Sequence, residues 1–217
     1  MGISVTDSKR ELTGRASLDG LERLISTWPG LMGHADRTLI DDSLVLVDHL
    51  GPARSLVDVG SGAGLPGLPI KIARPDLRVT LIESDQAKAA FLVHACAVLE
   101  LEDVEVVARR AEDAGREPAL REAFDLAVAR ALAPLPVLVE LCLPFVRVGG
   151  RLLAQKTEKE DAALASRAIE LVGGRLSEVI SAPSSARTAG TIVVIDKIAP
   201  TPELYPRRAG TPARKPL

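Results

Sequence analysis

Residues 56–67, LVDVGSGAGLPG, run from a short apolar stretch into four glycines within eight positions. A chain left bare of side chains where a buried strand ends serves a tight turn or the close approach of a ligand to the main chain. The flanking segments choose the architecture. SLVDVG (55–60), RVTLIES (78–84), VEVVARR (104–110), FDLAVARA (124–131) and GGRLLAQK (149–156) read as strands. GLPGLPIKIAR (64–74), DQAKAAFLVHACAVLEL (85–101), LPVLVELCLPFVR (135–147) and EKEDAALASRAIELVG (158–173) read as helices. This alternation predicts a Rossmann-like α/β fold, a doubly wound sheet with right-handed crossovers. GRLSEVISA (174–182) and TIVVIDKI (191–198) bring the strand count to seven. No helix separates them, so they predict a hairpin that inserts an antiparallel strand at one edge. The intervening SAPSSARTAG (181–190) reads as a mobile loop.

Upstream, 17–28 and 36–50 have helical spacing. The expected organisation is an N-terminal helical segment (1–51), a Rossmann-like domain (52–198) and a basic, proline-rich C-terminal tail (199–217). At 217 residues and 47% hydrophobic the chain can bury one sizeable core. With 2% aromatics that core is aliphatic, as suits strands covered on both faces. Cys96 and Cys142 stand apart without metal-ligand spacing and read as buried free thiols, which predicts a reducing, cytoplasmic setting and no metal. The start, MGISVTDSKRELTGR, is polar and carries no apolar secretory segment, and no apolar run reaches membrane-spanning length. A net charge of −2 excludes a general nucleic-acid coat, but the charge is uneven. Lys197, Arg207, Arg208, Arg214 and Lys215 face one acid, Glu203, near the C-terminus. That strip is either a solvated tail or a phosphate-binding edge.

In such sheets ligands bind beyond the carboxyl ends of the strands, where Gly60 and Gly62 fall. A dinucleotide fingerprint beginning at Gly60 requires glycine where Leu65 stands. Glu83 closes the second strand, where an acid can accept hydrogen bonds from both hydroxyls of a ribose; that suits NAD and S-adenosylmethionine alike. Asp58, just before the glycines, favours a cationic ligand over a pyrophosphate. The missing third glycine and the strand layout point the same way. Methyl transfer is therefore the leading class, with a NAD-dependent oxidoreductase as the alternative.

Further residues carry a family resemblance. DVGSGAGLPGLPIKIARPDLRVTLIES (58–84), Lys88, RAED (110–113), FDLAVARALAPLPVL (124–138) and the closing VVIDKIAPTPELYPRRAGTPARKPL (193–217) resemble the bacterial small-subunit ribosomal RNA methyltransferase G family, also called glucose-inhibited division protein B. GLPGLPI (64–70) is more distinctive than the glycine triplet. The resemblance implies a class I S-adenosylmethionine-dependent methyltransferase fold. It also implies activity on N7 of a guanosine, guanosine 527, in 16S rRNA of the small ribosomal subunit. Another RNA site or a small molecule is the alternative substrate. By the same resemblance the cofactor loop maps to Gly60, Gly62 and Leu65, the ribose acid to Glu83 with Ser84, and the adenine side to Ala111 and Glu112. Arg130 and Lys156 map to the substrate side, Arg130 also facing the cofactor, and neither acts on N7 as a base. The tail cations Arg207, Arg208, Arg214 and Lys215 become RNA-binding candidates, with Tyr205 available for stacking, and a monomer is expected. The sequence departs from the family where an Arg-His pair precedes Asp-Ser-Leu. Thr38, Leu39 and Ile40 precede DDSL (41–44) here, and Arg37 is the nearest substitute.

Overall fold

A computed structural model describes residues 18–31, 37–157 and 161–217. The polar start of the chain and parts of the expected helices at 36–50 and 158–173 lie outside these residues. Strands β1 (Ser55–Val59), β2 (Arg78–Ile82), β3 (Val104–Val107), β4 (Phe124–Arg130), β5 (Val146–Thr157), β6 (Gly174–Ser181) and β7 (Gly190–Lys197) form one sheet in the order β3-β2-β1-β4-β5-β7-β6. The first five are parallel; β7 runs antiparallel between β5 and β6. The hairpin expected from the missing helix is present, and its second strand is the one inserted. The winding reverses between β1 and β4, so their carboxyl ends open a crevice at the centre of the sheet.

Helices cover both faces. On one lie α1 (residues 18–27), α2 (Arg37–Leu44), α3 (Gly67–Ala73) and α4 (Gln86–Val98); on the other lie α6 (Leu135–Cys142) and α7 (Ser166–Leu171). The alternating pleat of each strand splits its side chains between two cores. Leu56, Leu126 and Val128 pack with Leu21, Ile25, Leu68, Ile70 and Phe91; Val57, Val59, Ala127 and Ala129 pack with Leu138, Leu143, Phe145 and Ile169. Because Leu18, Leu21 and Ile25 of α1 belong to the first of these cores, the described part of the segment read as 1–51 shares its packing with the sheet.

Two helices are shorter than their apolar patterns predict. The stretch 36–50 ends as α-helix at Leu44 and continues as a 3-10 turn at Val47–His49. The stretch 135–147 stops at Cys142, because Pro144 cannot continue an α-helical ladder. Helix α4 begins on a formed cap: the Asp85 side chain accepts from the N–H groups of Ala87 and Lys88 at 2.9 and 3.1 Å. Two short helices fall where no apolar periodicity announces them, α5 (Ala111–Ala114) and α8 (Thr211–Arg214).

The C-terminal segment is folded onto the domain. The Arg121 guanidinium donates to the carbonyls of Thr201, Pro202 and Tyr205 at 2.7–3.2 Å. Glu122 accepts the Thr201 N–H at 2.6 Å and lies 3.1 Å from the Lys197 ammonium. Lys197, 1% exposed, also donates to the Leu143 and Val172 carbonyls and to the Thr201 hydroxyl. Burial pushes its pKa down to about 8, opposed by Glu122. Tyr205 is itself buried and so is not placed for base stacking.

Candidate methyl-donor site

The opening stretch forms the floor of the crevice. Gly60, Gly62 and Gly64 have φ of +75°, +56° and +82°, the left-handed region that favours glycine. The N–H groups of Gly60 and Ser61 both donate to the Ile82 carbonyl, tying the loop to the end of β2. A Cβ at Gly60 would stand 2.4 Å from Leu132, whereas at Gly62 the nearest atom would be 3.9 Å away. Gly62 is thus where the main chain lies bare toward the crevice, while Gly60 makes room for Leu132. Gly67 is required for a different reason: its Cβ would fall 2.6 Å from Leu81 and 2.7 Å from the Asp58 carboxylate. The GLPG continuation brings the start of α3 directly against β1 and β2.

The cavity above this loop has a volume of about 430 Å³, within the usual range for a small-molecule site. Its wall brings together Gly60, Gly62, Leu65, Glu83, Ser84, Ala111, Glu112 and Arg130, eight of the residues singled out from the sequence. Glu83 is 8% exposed; its Oε2 accepts the Gly62 N–H at 2.8 Å and its Oε1 the Asp85 N–H at 2.8 Å. The acid that closes β2 therefore shapes the glycine loop while it faces the cavity. Glu112, 7% exposed, accepts the Gly210 N–H at 2.8 Å, and Ala213 of α8 also lines the cavity.

Asp58 stands elsewhere than expected. It is fully buried beneath the loop and is not part of the cavity wall. Its Oδ2 accepts the Gly67 N–H at 3.0 Å, and its Oδ1 has no hydrogen-bond partner. Burial raises its pKa from 3.8 to about 7, against the hydrogen bond from Gly67 and the positive charge of Arg130.

Lys156 is likewise outside the wall; its ammonium donates to the Ala133 carbonyl at 2.5 Å. It borders a charge cluster that sequence reading missed. Arg130 donates to the Leu39 carbonyl at 2.8 Å and lies 3.4 Å from the Asp42 carboxylate, which is 2% exposed. Arg187 pairs with the same carboxylate at 3.1 Å and donates to the Lys156 carbonyl; its Nη2 is buried without a partner. Ser184 donates to Asp42 at 2.5 Å and Gln155 to the Asp42 carbonyl at 2.5 Å. The 181–190 loop, read as mobile, is anchored here on α2. Burial lowers the Arg130 pKa while Asp42 raises it. Arg37 does not reach the cluster: it pairs with Asp19 and, at 2.9 Å, with Asp41. Among the tail cations, Arg207 is engaged by Glu140 of α6, while Arg208, Arg214 and Lys215 are exposed.

A seven-stranded sheet with this order, an antiparallel strand at the inserted position, and a glycine-floored cavity carrying an acid at the end of β2 define a class I methyltransferase. Solved structures share that fold. One is a geranyl diphosphate methyltransferase in complex with SAM, at TM-score 0.60 and 17% identity, covering 85% of this chain and 95% of that one. Another is a T. thermophilus 16S rRNA N2 methyltransferase in complex with AdoMet and guanosine, at TM-score 0.53 and 17% identity, covering 80% and 42%. The chain belongs to the rRNA small subunit methyltransferase G family, whose model matches residues 34–187. A family relative from Roseiflexus sp. (strain RS-1), ribosomal RNA small subunit methyltransferase G, is 52% identical over 75% of this chain and 70% of its own. One of the same name from Brevibacillus brevis is 40% identical over 100% and 94%. The protein is thus an S-adenosylmethionine-dependent ribosomal RNA methyltransferase, and the oxidoreductase alternative is set aside. No helix among the described residues is long and apolar enough to cross a membrane.

Proposed function

We propose that the cavity holds S-adenosylmethionine with its ribose hydroxyls on Glu83 beside Ser84, its adenine against Ala111 and Glu112, and its methionine end over Gly60–Gly62 toward Arg130. The enzyme then methylates N7 of guanosine 527 of 16S rRNA. One observation carries the reading: two buried carboxylates, Glu83 and Glu112, face a single cavity floored by a bare Gly62 and walled by Leu65 and Leu132. Such a pair of acceptors fits the hydroxyls of a ribose and the amino group of an aminopurine. Carboxylates there would repel a pyrophosphate.

When bound, S-adenosylmethionine supplies a sulfonium-activated methyl group. Guanine N7 has an in-plane lone pair and no proton to lose, so attack needs alignment and no general base. The protein's part is to hold donor and purine in line and to keep water out. The purine becomes cationic, so Arg130 and Lys156 serve a phosphate or the O6 edge and leave N7 untouched. Arg187, paired with Asp42 and donating to the Lys156 carbonyl, adds a third cation to that side. Arg208, Arg214 and Lys215 extend the basic surface for the RNA backbone. The protein works as a monomer in the cytoplasm on the small ribosomal subunit.

The test is transfer of labelled methyl groups to 30S subunits lacking the modification, with the methylated base mapped. Label on N7 of guanosine 527 is expected. Label accepted by a small metabolite and by no ribosomal RNA would overturn the substrate assignment.

A further inference from the structure

The tail segment is built into the cavity wall, and nothing in the methyl-transfer chemistry requires that. Glu140 of α6 is 0% exposed in an otherwise apolar helix, and Arg207 answers it completely. The Arg207 Nη2 donates to Oε2 at 2.6 Å, while its Nε and its backbone N–H both donate to Oε1 at 2.8 Å. The same Nη2 donates to the Lys215 carbonyl at 2.8 Å, so one guanidinium closes residues 207–215 into a loop. Between those ends Gly210, at φ +76°, donates its N–H to Glu112 at 2.8 Å and starts α8, whose Ala213 lines the cavity. Helix α6 contributes Val137 and Leu141 to that same wall. The outer side of the loop carries the exposed Arg208 and Arg214.

We propose that residues 207–215 form a clasp completing the adenine end of the donor pocket, with Arg207 and Glu140 as its positioning pair. This rests on the reading of Glu83 and Glu112 as the ribose and adenine partners. The clasp orients the Glu112 carboxylate through Gly210 and covers the adenine through Ala213. Donor binding and clasp docking therefore share contacts and stabilise each other reciprocally. Upstream anchoring by Arg121, Glu122 and Lys197 does not pass through Arg207, so loosening the clasp leaves the rest of the segment seated.

The test uses the full chain, with S-adenosylhomocysteine as the probe. Amide hydrogen exchange in the wild type is expected to slow about fivefold or more at residues 207–215 on saturation, alongside residues 60–65. By calorimetry Arg207→Met should weaken binding about tenfold, and Arg207→Lys should recover part of the loss. In steady state Arg207→Met should raise KM for S-adenosylmethionine and leave kcat nearly unchanged. Protection at 60–65 without protection at 207–215, or wild-type affinity in Arg207→Met, would overturn the clasp. Saturation without protection at 60–65 would refute the donor-site reading itself, and the clasp with it.

Discussion

Replacing Asp58 by asparagine should make this protein more stable at pH 8 and leave it nearly unchanged at pH 4. The side chain is fully buried, holds one backbone hydrogen bond, and leaves its other oxygen without a partner. Burial lifts its pKa from 3.8 to about 7, so the folded protein prefers the protonated acid. With the folded value above the unfolded one, the contribution to stability is fully present below pH 3.8. It declines as pH rises and is lost above 7. At about 1.4 kcal/mol per tenfold change in proton affinity, the span comes to about 4 kcal/mol. Asparagine keeps an acceptor for the Gly67 N–H and carries no charge to desolvate. The gain at pH 8 should therefore approach that figure, a rise in Tm on the order of 10 °C for a domain of this size. Urea unfolding of both proteins at each pH from 4 to 8 measures the difference directly. A difference that stays constant across that range, or an asparagine variant less stable at pH 8, would refute the argument.

Glu83→Ala removes the acceptor of the Gly62 and Asp85 N–H groups together with the proposed ribose contact, and S-adenosylhomocysteine affinity should fall about a hundredfold by calorimetry. Arg214→Ala, on the exposed face, should leave that affinity unchanged; equal losses in the two variants would contradict the site placement. Asp42→Ala strands Arg130 and Arg187 beside each other in a buried place, and denaturant unfolding should show a loss of about 3–5 kcal/mol. Gly67→Ala pushes a methyl group into Leu81 and Asp58 and should cost about 1–3 kcal/mol, read in the same assay, whereas Gly30→Ala meets open space and loses only its left-handed backbone preference.

The sheet was legible because parallel strands covered on both faces must be predominantly apolar, and 55–59, 78–82 and 124–130 are mostly Leu, Val, Ile and Ala, broken by polar residues such as Asp58, Thr80 and Asp125. Glu83 was legible for a local reason: an acid closing a buried strand one βαβ unit after Gly62 must face the crevice. The Asp42 cluster was not legible. Arg187 lies 145 residues from Asp42 in a stretch of small polar residues, and no local spacing announces that pairing. The Arg207–Glu140 pair was hidden in the same way, since a count of charges does not say which cation has a buried partner. A signal did exist: Glu140 sits alone in LPVLVELC, and a carboxylate in the middle of a fully apolar helix demands a cation from elsewhere in the chain. Asp58 shows the converse. Its position before the glycines was read as ligand chemistry, while its oxygen meets the backbone of Gly67.

The hydrogen bond between Glu112 and Gly210 spans 98 residues, and this has a consequence for the birth of the enzyme. The strands and loops that supply Gly60, Glu83 and Glu112 can collapse together while the chain is still being made, for their contacts close early. Residues 207–215 are synthesised long afterwards, and until they leave the ribosome the pocket has a floor and no clasp. A chain made only as far as Glu112 therefore holds the pocket's floor and remains a poor binder of its methyl donor, and the segment that completes the pocket arrives 98 residues later.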